Sequence, residues 1–407
     1  MVQKSKTTME LRGGIVYTPF ERLEQADICV RGKKITAVTQ VGEKTKEKGA
    51  VVIDITGKLV IPGLIDIHMH GGFGWDVNSG PPKEETLIRL ARLGTTSFLP
   101  TLYSTESREI IITAIRRYKK FLEKEYEGAR ILGIHMEGPF LNPKLGAQKP
   151  ECCEVPKRDG FKVYLDEADK ILLMMTLSPE LDGSIKLIEN LSRRGIVPAV
   201  GHSSAGKDEL GDALKAGLRH GTHIFNATSR PDSKMKGAIK SGMDEFCLAH
   251  DEISVDIMVD SQGLHFDNIL LQLAWKCKGP DKLFIISDSM WVVGLTPGRY
   301  DSSDGRKIII DGSDVARLEN GCLSGSSMTI IGALKNIIHR LNLPIEEALQ
   351  TATVNPAKLL GIENSKGSIA PGMDADMVVV DKSLNVYMTI VEGKIMYKDK
   401  SIRGGKT

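Results

Sequence analysis

What this sequence lacks narrows its function first. Only six cysteines occur in 407 residues, and none stands in a CxxC spacing. Cys152 and Cys153 alone are close together, so neither a zinc knuckle nor a disulfide framework is expected. No apolar run reaches the roughly 18 residues that a membrane-spanning helix needs. The opening MVQKSKTTMELRGG lacks the apolar centre of a signal peptide, so a reduced, cytoplasmic setting is expected. An excess of charge is also missing: 54 Lys and Arg oppose 52 Asp and Glu, for a formal net charge of +2. That balance gives no electrostatic footing for nucleic acid or a membrane surface. No GxGxxG follows the first apolar strand, which weakens an open doubly wound sheet, and no internal repeat is visible.

With 41% hydrophobic residues the chain can bury a large core. Residues 9–61 read as short strands broken by glycine-containing turns, and the tail DADMVVVDKSLNVYMTIVEGKIMY reads alike. The two ends therefore predict one small composite β domain, a β-sandwich from 1–61 and 367–407. Between them, over 62–366, apolar strand-like runs such as TSFLPTLY, ILGIHMEGPF, GIVPAVGHSS and KLFIISDSM alternate with helix-patterned segments such as PKEETLIRLARLG and KDELGDALKAG. About eight such units are present, the number of a (β/α)8 barrel of the α/β class.

Barrel enzymes carry their chemistry at the C-terminal ends of the strands. The runs here end, in order, with His68 and His70, His135 and Glu137, His202, His223 and Asn226, His265, and Asp288. A single strand histidine is usually an ordinary core or surface residue, and His220, His250 and His339 are read so. His-x-His is more telling, because alternate residues of a strand share a face. On that rule Asp66, His68 and His70 point inward and Ile65, Ile67 and Met69 outward, with Asp66 a deeper, supporting carboxylate. Imidazole and carboxylate together suit zinc or ferrous iron. The set is too large for one closed structural site and fits a two-metal site with a bridging carboxylate.

In these residues the sequence resembles the amidohydrolase superfamily, and more closely the N-acetylglucosamine-6-phosphate deacetylase family. The segments that carry the resemblance are PGLIDIHMHGG, GIHMEGPFLNP with GAQKPE, VGHSSA, GTHIFNA, GLH at 263–265, ISDSM with GLTPGRY, LSGSSM, and the tail NPAKLLGI with KGSIAPGMDADMVVVD. The resemblance implies one metal on Glu137, His202 and His223 and a second on His68 and His70 with Glu137 bridging, so one or two zinc or iron ions per chain. It makes Asp288 the general base and then the acid, and gives Asn226, Ala227 and His265 to the sugar phosphate. Gln148 and the backbone near Leu323 would line the pocket, and His135 or His265 would help steady the oxyanion. The implied reaction is hydrolysis of the N-acetyl amide of an amino sugar phosphate by a homodimer.

Two stretches depart from the family. Its His-His-Arg-Glu-Pro-Gly segment is FNATSRPDSKMKG here, with Lys234 about where the phosphate-binding Arg would stand. A lysine binds phosphate as a point charge without the bidentate fork of arginine. VDSQGLH also carries two extra residues before GLH. Both changes touch substrate recognition and leave the metal set intact. Two other readings stay open: the same chemistry on another N-acyl sugar or acyl amino acid, and a non-enzymatic assembly protein on this barrel.

Overall fold

Eight apolar runs form the parallel strands of a barrel: β1 (Leu64–Met69), β2 (Thr95–Tyr103), β3 (Ile134–Glu137), β4 (Leu172–Leu177), β5 (Val197–Val200), β6 (His220–Gly221), β7 (Ser254–Met258) and β8 (Leu283–Ile286). The computed structural model describes residues 8–40, 49–157, 160–233 and 235–402, with the backbone of 404–406. Each strand pairs with the next in parallel register. The barrel closes where β8 returns to β1: Asp288 N–H donates to His68 O at 2.9 Å and His70 N–H to Ser289 O at 2.8 Å.

The strands are buried on both faces, as parallel strands under crossover helices must be. The helices follow the 3.6-residue period. In Glu84–Arg92, Leu87, Leu90 and Ala91 turn inward, with Glu84 and Glu85 in the first turn and Arg89 and Arg92 in the last, complementing the helix dipole. Ile111, Ile112, Ile115 and Tyr118 do the same in Arg108–Leu122. The helix Asn268–Lys282 breaks at Gly279 (φ 58°), and a further turn carries the element to Lys282. No helix among the described residues is long and apolar enough to cross a membrane.

Both chain ends build one nine-stranded mixed sheet. Thr8–Tyr17 pairs in parallel with Leu59–Pro62, which pairs antiparallel with Met377–Val380. Its own core, with Leu11, Ile28, Val60, Met377 and Ile390, is separate from the barrel's. Sequence patterning gave no sign of a further antiparallel sheet of four short strands, Gly298–Asp301, Lys307–Ile310, Val315–Leu318 and Leu323–Ser326, inserted after β8. Ser289 bridges Ser326, so this sheet is anchored at the C-terminal rim of the barrel.

Candidate active site

A cavity of about 390 Å³ opens at the C-terminal ends of the barrel strands. His70, Glu137, His202, His223 and Asp288 meet on it, together with Gln148, Asn226, Ala227, His265 and Leu323. His68 lies fully buried behind His70.

The first strand corrects one expectation. Asp66 pairs with Phe98, but Met69 pairs with Pro100, so three steps on β1 oppose two on β2. This bulge shifts the alternation of faces by one residue. Ile65 and Ile67 therefore do not face the outer layer. They join Leu99, Met174, Ala199, Phe284 and cavity-lining Met258 in a cluster inside the barrel, below the site. Asp66 is not one of an inward stripe with the histidines either. Its Oδ1 accepts the N–H groups of His68 and Ser287, both at 3.3 Å, and so ties β1 to β8. Burial pushes its carboxyl up to about 7, against the hydrogen bonds from Ser287 and His68.

Beyond the bulge the ligating atoms converge. His68 Nε2 lies 3.2 Å from His70 Nε2, and His202 Nε2 lies 3.2 Å from His223 Nε2. Glu137 Oε1 is 2.9 Å from both His202 and His223, and its Oε2 is 3.4 Å from His70 Nε2. Asp288 Oδ1 is 3.0 Å from His70 Nε2. His68 stands between the two groups, 3.7 Å from Glu137 and 3.7 Å from Asp288. Two nitrogens on one tetrahedral zinc, each about 2.0–2.1 Å from the ion, sit roughly 3.3 Å apart. Both imidazole pairs have that spacing, and one carboxylate faces both. His68, His70 and Asp288, and His68, Glu137 and His223, each bring ligand atoms within 4.8 Å of one another. The donor set fits a divalent cation such as zinc or ferrous iron.

Charge in the metal-free cluster is held by the same contacts. Burial works to raise the Glu137 pKa, but the charges of His202 and His68, with hydrogen bonds from His202 and His223, hold it well below the usual carboxylate range. Burial works to lower His70, yet the hydrogen bond and charge of Asp288 raise it to about 9. Glu137 does the same for His223, also raised to about 9 against burial. Burial drives His68 well below its ordinary value. A metal binds neutral imidazole, so it must expel the protons of His70 and His223. Apparent zinc affinity should therefore rise with pH and level off above about 9. With two protons released, the rise below that point approaches about 100-fold per pH unit. Chelator competition between pH 6 and 9.5 measures it, and a flat profile would exclude proton release from these rings.

The turns that present these groups are strained. His202 (φ 49°), His223 (φ 30°), Phe225 (φ 72°), Ala227 (φ 54°) and Asp288 (φ 45°) all occupy the left-handed region without being glycine. Such residues cost on the order of 1–3 kcal/mol each and persist where the surroundings over-determine them. For Asp288 the surroundings are two backbone bonds, to His68 O at 2.9 Å and from Ser326 N–H at 2.8 Å. His202 O accepts the Ser178 hydroxyl at 2.8 Å.

The remaining expected residues divide. His265 is oriented by Asp260 Oδ2, 3.1 Å from its Nδ1. Gln148 and Asn226 line the cavity, and their buried Oε1 and Oδ1 have no hydrogen-bond partner among the described residues. His135 does not reach the cavity, so a direct oxyanion contact is not available to it. Its Nε2 is 2.8 Å from Thr176 Oγ1 and its Nδ1 3.2 Å from Ile67 O, and its ring packs edge-on to His68. It supports the cluster from beneath. Lys234 lies outside the described residues.

Sequence reading missed three contributors. Tyr103 ends β2 with its ring centroid 4.6 Å from that of His70, its hydroxyl donating to Asp76 Oδ2 at 2.6 Å. The strand-end rule that found the histidines would have found it. Arg306, from the inserted sheet, lines the cavity and donates to Asp304 Oδ2 at 2.6 Å and to Ala147 O. Asp256, inside the apolar run ISVDIMVD, is fully buried and touches the turn that carries His223.

Comparison with known proteins extends over most of the chain. The amidohydrolase family model matches residues 59–396. The chain is 34% identical to an N-acetylglucosamine-6-phosphate deacetylase of Bacillus subtilis (strain 168) over 391 residues, covering 95% of this chain and 96% of that one. It is 27% identical to an N-acetylgalactosamine-6-phosphate deacetylase of Escherichia coli O157:H7, covering 95% and 99%. A point mutant of the Mycobacterium smegmatis N-acetyl-D-glucosamine-6-phosphate deacetylase, solved in complex with N-acetyl-D-glucosamine-6-phosphate, superposes with a TM-score of 0.85 at 26% identity, covering 96% and 100%.

Proposed function

The chain belongs to the amidohydrolase family, and we propose that it hydrolyses the N-acetyl amide of N-acetylglucosamine 6-phosphate to acetate and glucosamine 6-phosphate. It is a hydrolase of linear amides, and the convergence of four histidines, Glu137 and Asp288 beside one cavity carries the reading.

Glu137, His202 and His223 would hold one divalent ion, and His68 and His70, with Glu137 shared, a second. An ion held there supplies Lewis acidity, polarising the amide carbonyl and lowering the pKa of a water from about 16 toward about 7. Asp288 would take the proton of the attacking water and hand it to the departing amine nitrogen as the C–N bond breaks. His265, fixed by Asp260, would form a hydrogen bond to the substrate from the cavity wall. Gln148 and Asn226, whose Oε1 and Oδ1 are unpaired among the described residues, would turn toward the sugar hydroxyls and accept their hydrogen bonds. Lys234, in the sequence segment that departs from the family, would contribute a positive charge to phosphate binding, and a homodimer is the expected assembly.

The test is acetate release from a panel: N-acetylglucosamine and N-acetylgalactosamine, each with and without the 6-phosphate, using protein of measured zinc and iron content. The expected result is turnover of the phosphorylated gluco sugar well above the other three. Preference for the galacto epimer would move the proposal to the substrate of the E. coli relative. No turnover of any of them by metal-loaded protein would end it.

A further inference from the structure

We propose that Asp256, backed by His220, is the positioning residue that holds His223 in its metal-binding conformation. This rests on the reading of His223 as a ligand. His70 and His202 are oriented through their rings: Nδ1 of His70 lies 2.8 Å from Thr101 O, and Nδ1 of His202 lies 3.1 Å from Leu145 O. His223 has no such partner among the described residues, where its Nδ1 is buried and unbonded. Its backbone is also strained, at φ 30°. Something else must fix it, and the contacts point to Asp256.

Asp256 grips the turn twice. Its Oδ1 accepts the N–H of His223, and its carbonyl accepts the N–H of Ile224 at 3.1 Å. Its Oδ2 accepts from His220 Nε2 at 2.8 Å, and His220 Nδ1 is 2.8 Å from Ser254 Oγ. All these contacts lie between β6 and β7, where Asp256 and His220 are inaccessible to solvent. Each oxygen of Asp256 and each ring nitrogen of His220 is engaged, so the carboxylate cannot swing without breaking the pair. The rest of the turn is held separately: Asp244 accepts from Phe225 N–H at 2.9 Å and from the Thr228 hydroxyl at 2.6 Å. The metal-facing half of the turn thus depends on one aspartate and the half bearing Asn226 and Ala227 on another.

Outer partners of a ligating histidine are worth about 10–100-fold in metal affinity or activity. Asp256→Ala should lose zinc affinity by about that factor, measured by chelator competition, with kcat falling in step and KM little changed. The visible spectrum of the cobalt-loaded variant should change as well. His220→Gln keeps a donor toward Asp256 and should stay near wild type. Asp244→Ala should raise KM while zinc affinity holds. If Asp256→Ala does not fold, Asp256→Asn, which turns an amide toward His220, should show a smaller loss. Wild-type zinc affinity in the folded Asp256 variant, even with a lowered Tm, overturns the proposal. His223→Asn serves as reference. If it too leaves zinc affinity unchanged, the ligand reading fails; if it lowers affinity while the Asp256 variant does not, the positioning role alone fails.

Discussion

Asp288→Asn should lower kcat by about three orders of magnitude, near the middle of the range for a lost general acid–base group. The amide keeps the size of the carboxyl, so the backbone bonds of Asp288 to His68 and Ser326 should survive. It cannot take a proton from water or return one to the amine. KM should change little. Metal held by Glu137, His202 and His223 should remain, because Asp288 touches the other half of the cluster, 3.0 Å from His70. Single-turnover acetate release with metal analysis on the same sample separates the outcomes. A variant within tenfold of wild type would remove Asp288 from proton transfer. A variant that had lost all metal would recast it as a primary ligand.

Glu137→Gln should be as damaging, for a different reason. The Glu137 carboxylate faces both imidazole pairs, so its loss weakens every position a cation could take. The expected loss of zinc affinity exceeds the roughly 100-fold upper range of an outer partner. The metal-free protein should also suffer. Removing one side of a buried charge pair costs on the order of 3–5 kcal/mol, and here Glu137 is the carboxylate between His202 and His223. Its pKa is held down in the fold, so its contribution is present above the ordinary carboxylate pKa and fades as the pH falls below it. The Tm gap between metal-free wild type and variant should therefore stay wide from pH 7 down to about pH 4.5 and narrow only below it. Equal zinc content in variant and wild type would show that the carboxylate does not bridge.

Much of this site was readable from residue order alone. Chemistry at strand ends is a local pattern: an apolar run, a polar terminus, then a turn. His68, His70, Glu137, His202, His223 and Asp288 each satisfy it without knowledge of any neighbour. The bulge on β1 does not, because it exists through Phe98 and Pro100 on one side and the amide of Ser287, more than two hundred residues away, on the other. His135 obeys the strand rule yet lies beneath the cavity, since depth along a barrel depends on the stagger between strands. Asp256 and His220 were invisible for a third reason. Each looked like an ordinary member of its run, and their meaning lies in the pairing of β6 with β7. The inserted sheet escaped because its strands are four residues each, too short for periodicity to speak.

The sheet built from both ends has a consequence for how the molecule comes into being. Leu59–Pro62 lies between Thr8–Tyr17 and Met377–Val380. During synthesis Leu59–Pro62 has only Thr8–Tyr17 beside it until more than three hundred further residues have left the ribosome. The barrel meets a delay of more than two hundred residues, since β1 closes only on β8. Contacts of such sequence separation make folding slow and leave strand edges unpaired meanwhile. Refolding from denaturant should therefore be slow and prone to aggregation. Zinc capture, which needs β1, β3, β5 and β6 together, should appear late in it rather than seed it.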